Sequence, residues 1–192
     1  MRHLLITLVI LASVIIASAQ RQTYVSAAFF TTQNAIPFEK FSGLLKETIH
    51  PGIEVGYGKI MKPKEKHEWF GEVKMGYFYH RFVQHGLPLY RYKFNSRLAA
   101  ETSIGAGYMH SIPATAKLKL NEEGEYENNK GIGRMQAMAT YAIGFSYVLN
   151  HTAAKTIRVF TSYQQRLQFP FVKSYVPLLP YNSFMIGLIK SK

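Results

Sequence analysis

The sequence predicts an all-β fold, an eight-stranded antiparallel up-and-down transmembrane β-barrel, and three observations predict it. Apolar residues recur at every second position over ten or more residues in several segments, which is the period of a β-strand. Hydrophobic residues make up 47% of the 192 residues and charged residues 18%, yet the chain has a single long apolar run. Short and long connections between the predicted strands alternate, as in up-and-down barrels.

The long apolar run lies near the N-terminus, from Leu4 to Ile16. Arg2 precedes it and Ala17-Ser18-Ala19 follows it, which is the pattern of a secretory signal peptide with an Ala-x-Ala cleavage site. We expect residues 1–19 to be removed and residues 20–192 to form one barrel domain. Because the sequence has no cysteine, we expect no disulfide, lipoprotein anchor or thiolate metal site.

Alternation predicts eight strands, most clearly where Met135 to Leu149 carries an apolar residue at every odd position. In chain order the segments are Gln22–Phe30, Thr48–Met61, His67–Arg81, Leu87–Phe94, Arg97–His110, Arg134–Leu149, Thr156–Gln168 and Tyr181–Lys190. The fourth is shorter than the roughly 9–11 residues that a spanning strand needs.

The segments between the strands predict the orientation of the barrel. The short polar connections are Lys62–Lys66, Asn95-Ser96 and Asn150–Lys155. The other connections, mostly longer, are Thr31–Glu47, Phe82–Gly86, Ser111–Gly133 and Phe169–Pro180. Because short turns of membrane barrels lie in the periplasm, an even number of strands places both termini there.

Glycine placement predicts which face is inside. Seven glycines share the polar face: Gly56, Gly58, Gly76, Gly105, Gly107, Gly144 and Gly187. A narrow barrel needs small residues inside, whereas glycine on a water-exposed strand face only weakens the strand. The apolar face, with Tyr57, Trp69 and Tyr147 towards strand ends, is therefore predicted to contact lipid. The alternative is a soluble secreted lipocalin-like barrel that binds a ligand.

Parity sends charged and amide side chains into the lumen: Glu54, Glu72, Lys74, Arg91, Lys93, Arg97, Glu101, Gln136, Arg158, Gln164, Arg166 and Gln168. Buried charges must be paired or hydrated, and eight strands leave no continuous aqueous channel. We therefore expect a plugging network. Its predicted members are Glu54, Glu72, Lys74, Glu101, Arg158 and Arg166. The alternative is a narrow basic conduit for anions.

The formal net charge of +12 does not indicate nucleic acid, because an exported protein does not meet it. Lys62, Lys64, Lys66, Lys190 and Lys192 fall at the predicted periplasmic rim, where cations meet anionic lipid head groups. We expect outer-membrane lipid and lipopolysaccharide as partners.

No catalytic or cofactor motif is present, so we expect a non-enzymatic protein without a cofactor. One alternative is a lipid A-modifying enzyme that uses His110 or Ser111 near Glu101, although neighbouring strand residues point to opposite faces. Another is a metal site, if His80, His85 and His110 converge at the extracellular rim.

The predicted outer loops are unusually apolar. The residues that define a candidate docking surface are Phe38, Phe41, Phe171, Tyr175, Leu178 and Leu179. Leaving such side chains in water costs about 1.5–3 kcal/mol for each that could be buried. Two alternatives stay open: the loops dock another outer-membrane protein, or they pack on one another and cap the barrel. Lys119–Lys130, by contrast, is predicted to be a polar, solvated hairpin tip.

Three segments, Gly76–Tyr90, Gly105–Pro113 and Pro170–Ser183, resemble segments of small outer-membrane β-barrel proteins of Bacteroidota. The resemblance implies an outer-membrane location and membership in a larger outer-membrane assembly, and it assigns no functional residue. In better-known barrels the last strand ends in an aromatic residue, whereas this chain ends Ile189-Lys190-Ser191-Lys192. We therefore expect Phe184, Ile186 and Leu188 to serve as the insertion signal.

Overall fold

The structure is a computed structural model that describes residues 23–34, 50–79, 81–113, 118–128, 131–152, 155–170 and 178–191. The predicted signal peptide, residues 1–19, lies outside these ranges. No helix in the described part of the chain is long and apolar enough to cross a membrane.

The described residues form ten strands. They are β1 Thr23–Asn34, β2 His50–Pro63, β3 His67–Phe78, β4 Arg81–Lys93, β5 Leu98–Ser111, β6 Leu118–Leu120, β7 Tyr126–Asn128, β8 Arg134–Thr152, β9 Lys155–Phe169 and β10 Leu179–Ser191. Eight of them form a closed barrel in the order β1-β10-β9-β8-β5-β4-β3-β2, and every neighbouring pair is antiparallel. The predicted fold class, an eight-stranded antiparallel up-and-down barrel, is confirmed.

The barrel closes where the first and last of its strands pair, from Tyr24 opposite Ser191 to Asn34 opposite Tyr181. Closure leaves the sheet no unpaired edge. The remaining two strands, β6 and β7, form a separate hairpin within the long connection between β5 and β8.

The fourth strand corrects one prediction. The sequence predicted a loop over Phe82–Gly86, but β4 begins at Arg81, which pairs with Phe78 at the end of β3. Gly86 and Pro88 are residue types that favour loops, but here they disturb the sheet over only two residues. The β4–β5 ladder lacks only the pairs of Leu87 and Pro88, because proline has no N–H to donate. With 13 residues, β4 therefore reaches the length that a membrane-spanning strand needs.

The two ends of the barrel differ. Thr23 and Ser191 lie at one end with the connections 64–66, 94–97 and 153–154. The other end carries the connections 35–49, 79–80, 112–133 and 170–178. We call these the short-turn end and the long-loop end. Apart from the turn at 79–80, the alternation matches the prediction.

The barrel is apolar on the outside. Phe29, Ile104 and Phe184 are examples of large apolar side chains that are more than half exposed on the outer face. The inner face holds the predicted glycines and the predicted charges except Arg97, which lies exposed in the turn before β5 and donates to the Tyr147 hydroxyl. It also holds apolar side chains that parity alone did not emphasise. Among these are Phe30, Phe70, Phe78, Met109, Met138 and Tyr181. The lumen is therefore a mixed core rather than a purely polar one.

Candidate functional site

The middle of the lumen is organised around Glu54 of β2. One carboxylate oxygen, Oε2, accepts a hydrogen bond of 2.9 Å from Nη2 of Arg166, and the other, Oε1, lies 3.4 Å from Nζ of Lys74. Arg166 is 0% exposed and Glu54 3%, so this ion pair is shielded from solvent. A charge in such a place must be paired, and Glu54 is paired on both oxygens.

The partners of Glu54 connect it to neighbouring strands. Lys74 Nζ also lies 3.7 Å from Oε2 of Glu72, whose Oε1 accepts a 2.8 Å hydrogen bond from the Ser26 hydroxyl. Arg166 Nη1 donates to Ser183 Oγ at 2.7 Å, and that hydroxyl donates to Thr32 Oγ1 at 2.9 Å. These contacts join five of the barrel strands across the lumen, as a plug requires.

A second ion cluster lies nearer the short-turn end. Arg91 donates from Nε to Glu101 at 2.6 Å and from Nη1 to Glu68 at 3.2 Å. Nζ of Lys93 lies 2.6 Å from the other oxygen of Glu68. Arg158 lies close enough to Glu68 and Glu101 to interact with them electrostatically. Glu68 was not singled out from the sequence, although it shares the parity of Glu72.

Aromatic rings separate and cover these charges. The guanidinium carbon of Arg91 lies 4.3 Å from the ring centroid of Phe70, and that of Arg166 lies 4.7 Å from that of Phe30. Lys74 Nζ lies 5.8 Å from the centroid of Phe160. Cations at these distances are attracted to the ring face. The inward phenylalanines therefore fill the lumen and also stabilise its cations.

An amide layer lies towards the long-loop end. Gln168 donates to Gln136 and accepts a 2.8 Å hydrogen bond from the Tyr181 hydroxyl. Gln136 donates to the carbonyl of Pro170 at 2.7 Å. The Ser111 hydroxyl donates to Gln136 Oε1 at 3.2 Å, so this serine belongs to the amide layer. The layer closes the lumen below the loops.

The histidines do not converge. His85 was predicted at the rim, but it lies in β4 with its side chain in the lumen, 1% exposed, and its Nε2 is 3.9 Å from Glu54. In the β3–β4 register it lies opposite Lys74. Had β4 been predicted to begin earlier, parity would have placed His85 in the lumen. His110 donates from Nε2 to the carbonyl of Ile132 at 2.7 Å. His80 lies outside the described residues, and no cluster of three potential metal ligands occurs among those described.

Most of the predicted docking residues lie in segments that the structure does not describe. Phe38, Phe41, Phe171 and Tyr175 lie outside the described residues. Leu178 is described and is 41% exposed, whereas Leu179 begins β10 and is 2% exposed, so it is part of the lumen lining.

The β6–β7 hairpin presents an apolar face that the sequence did not reveal. Leu120 pairs with Tyr126 across the hairpin, and Leu118 lies two residues away on the same face. All three side chains are more than half exposed. The tip of the hairpin, Asn121–Glu125, is polar as predicted. We call Leu118, Leu120 and Tyr126 the hairpin patch.

Comparison with known proteins addresses the fold. No protein-family model and no curated protein matches the sequence. Neisserial surface protein A (NspA) matches with a TM-score of 0.53 and 8% identity over 88% of this chain and 95% of its own. Ail, the attachment invasion locus protein of Yersinia pestis, matches with a TM-score of 0.49 and 11% identity over 90% and 99%. The outer membrane enzyme PagL gives 0.46 and 12% over 85% and 97%. The chain therefore shares the fold of small eight-stranded outer-membrane β-barrels.

Proposed function

We propose that this protein is a non-enzymatic outer-membrane β-barrel with a sealed lumen, acting as a structural or accessory subunit of a larger outer-membrane assembly. The observation that carries the proposal is the distribution of polarity: the outer wall is apolar and the lumen holds the ion pairs. A barrel in water has the opposite arrangement. By the usual placement of short turns, the short-turn end and both termini lie in the periplasm.

The filled lumen favours this proposal over a soluble ligand-binding barrel. A lipocalin-like barrel needs an interior cavity for its ligand. Here the interior is occupied by Arg166, Phe70, Tyr181 and their neighbours, all nearly fully buried. An outer wall with so many exposed large apolar groups is unfavourable in water and suited to lipid.

Membrane insertion is tested by two arginine substitutions at sites of equal exposure. Val55 on β2 is 55% exposed and Leu120 on the hairpin is 54% exposed. If lipid covers Val55, Val55→Arg destabilises the barrel in vesicles by about 2–4 kcal/mol near the bilayer midplane. Leu120→Arg changes the free energy of unfolding by less than about 0.5 kcal/mol, as for an exposed surface site. Equal, small effects in both variants contradict membrane insertion.

The accessory role is supported by the hairpin patch and by exposed Leu178 at the long-loop end. Exposed apolar groups gathered on one face are typical of protein-binding surfaces. The proposal also takes up the resemblance to small outer-membrane barrels of Bacteroidota, because that resemblance implies membership in a larger assembly.

Native size after mild detergent extraction tests the docking role. We expect the wild type to migrate in a larger complex and the Leu120→Ser, Tyr126→Ser double variant to migrate as a monomer. A matched control on the same hairpin is Glu122→Gln, Glu123→Gln, which changes the polar tip and leaves the complex intact. A wild type that migrates only as a monomer removes the docking role and favours loops that cap the barrel.

The geometry at β5 favours a non-enzymatic role over lipid A modification. A serine nucleophile needs a base within hydrogen-bond reach. The Ser111 hydroxyl donates to Gln136 and His110 donates to a carbonyl, so the two side chains serve different contacts. We expect a deletion strain to keep its lipid A mass profile, and a changed profile that is restored by wild type and not by Ser111→Ala would contradict this.

A further inference from the structure

The outer wall near the short-turn end carries a group of aromatic side chains on β3 and β4. Trp69 lies beside Tyr90, with ring centroids 5.0 Å apart, and His67 lies 5.2 Å from Tyr92. His67 Nδ1 and the Tyr90 hydroxyl share a hydrogen bond of 2.5 Å. Phe94 packs edge-on against Tyr92 at 5.3 Å. Rings with polar tips are suited to the boundary between lipid tails and head groups.

Two apolar depressions lie in the same wall. One, of about 560 Å³, is bordered by Trp69, Pro88, Tyr90, Thr102, Ile104 and Tyr141. The other, of about 450 Å³, is bordered by Tyr90, Tyr92, Ala100, Thr102, Ile143 and Phe145. They arise because small side chains on β5 stand between large ones on β4 and β8. Tyr90 and Thr102 border both, so the depressions lie side by side.

The connection between β2 and β3, at the short-turn end of this wall, is basic. Lys62 pairs with Trp69 in the β2–β3 register, and Lys64 and Lys66 follow in the turn, all three exposed. The carbonyl of Lys66 accepts a 2.8 Å hydrogen bond from the backbone N–H of Lys93, which holds the turn against β4. The described residues offer these three ammonium groups no carboxylate within salt-bridge distance. The turn contains one acid, Glu65, which forms no salt bridge with these lysines, and Glu68 on β3 faces inward to Arg91 and Lys93.

We infer that this wall is a binding site for an anionic phospholipid, with the phosphate at Lys62, Lys64 and Lys66 and the acyl chains in the two depressions. The inference rests on the proposed insertion in the membrane. Charge complementarity identifies the occupant: the depressions offer apolar surface for two chains, and the turn above them offers three unpaired cations. The aromatic group lies between them, where the glycerol region of a lipid would sit.

The sequence provides a probe at the site, because Trp69 is the only tryptophan in the chain. The protein is reconstituted in phosphatidylcholine vesicles that contain a minor fraction of acyl-brominated phosphatidylglycerol, or the same fraction of acyl-brominated phosphatidylcholine. Bromine quenches Trp69 fluorescence on contact. We expect the brominated phosphatidylglycerol to quench more strongly, and the difference to shrink as salt screens the attraction.

Two sets of variants test the two parts of the site. Lys62→Gln, Lys64→Gln, Lys66→Gln removes the cations, and we expect about a fivefold lower apparent affinity for each lysine lost. Lys190→Gln, at the same end of the barrel on β10, leaves the affinity unchanged. Thr102→Phe fills the space between the depressions and weakens quenching, whereas Ala106→Phe, also outward on β5, does not.

The outcomes separate the two claims. Equal quenching by the two brominated lipids, or selective quenching that survives the triple lysine substitution, overturns the anionic lipid site and leaves membrane insertion standing. No quenching of the folded protein by any brominated lipid, including vesicles made wholly of it, overturns membrane insertion and the site together.

Discussion

At the scale of single residues, the lumen is stabilised by charges that are buried and ion-paired. Glu54 contacts Arg166, Lys74 and His85, and each of these partners comes from a different strand. Desolvating two charges costs several kcal/mol, which their attraction offsets only when the geometry and the extra hydrogen bonds are good. Here Ser183 and Phe30 supply further contacts to Arg166. Single substitutions in this cluster should therefore be more harmful than the loss of one contact suggests.

The ion pair predicts a pattern in a double-mutant cycle. Glu54→Gln leaves buried Arg166 without a carboxylate and should lower the free energy of unfolding by about 3–5 kcal/mol. Arg166→Met leaves Glu54 paired with Lys74 and should lower it by less. The double variant should recover much of that loss. Denaturant unfolding in detergent, followed by Trp69 fluorescence, measures it. Glu65→Gln, on the exposed turn, is the control for removing a carboxylate. Additive losses in the double variant would show that the pair is not coupled.

Two glycines on neighbouring strands, Gly107 facing the lumen and Gly86 facing outward, predict opposite responses to the same change. A Cβ at Gly107 would lie 2.0 Å from the carbonyl oxygen of Gln84, so Gly107→Ala forces β4 and β5 apart. A Cβ at Gly86 meets nothing closer than 4.0 Å. Gly86→Ala should be neutral or stabilising by about 0.4–1 kcal/mol, because alanine restricts the unfolded chain. We expect Gly107→Ala to reduce the folded, heat-modifiable fraction on gels, and a tolerated Gly107→Ala would contradict the close approach.

At the scale of elements, β4 shows how local signals and sheet pairing compete. Pro88 removes one donor, and the interruption of the β4–β5 ladder extends only over Leu87 and Pro88. On its other side β4 pairs with β3 without interruption, including Gly71 opposite Pro88. The strand persists because its pairing with β3 is continuous and its pairing with β5 resumes at Leu89.

The interruption predicts where a new hydrogen bond forms. The register extends through Gly86 opposite Ala106 and Leu89 opposite Ser103, so the missing donor at residue 88 faces the carbonyl of Ile104. Pro88→Ala supplies an N–H there. We expect the new amide to exchange with solvent deuterium as slowly as that of Leu89. Fast exchange would mean that the two strands are separated at this point for another reason. Pro63→Ala, at the end of β2, is the control and should give a fast-exchanging amide.

At the scale of the whole molecule, two ion clusters and an amide layer close the lumen along its length. Arg166, Gln168 and Tyr181 are each at most 1% exposed, so no continuous water path passes them. In the proposed function, the apolar wall of this sealed barrel faces lipid and its long-loop end carries the hairpin patch.

The sealed lumen predicts the absence of conductance. Reconstituted in a planar bilayer, the protein should give no ion-channel steps, because no aqueous path crosses the layers of Arg166 and Arg91. The anion-conduit alternative requires chloride-selective steps that change with Arg91→Gln. A larger barrel of known conductance in the same bilayer controls for the assay.

The sequence by itself determined the fold class, seven of the eight barrel strands to within a few residues, and, apart from Arg97, which side chains of those seven face inward. This prediction succeeded because successive side chains of a strand point to opposite faces, so the residues of each strand by themselves indicate its inner and outer face. The same parity places Glu68 on the inner face of β3 with Glu72. The start of the fourth strand was predicted too late, because Gly86 and Pro88 favour a loop locally and sheet pairing overrides that preference.

Only the tertiary structure decided which inward charges meet and which loop groups gather. Arg166 and Glu54 are 112 residues apart in sequence, and their contact depends on the stagger of β9 and β2, which β1 and β10 separate in the closed barrel. Leu120 and Tyr126 share a face only because the hairpin pairs them. Parity gives a side chain its direction, but its partner is set by long-range register, which the sequence of one strand does not contain.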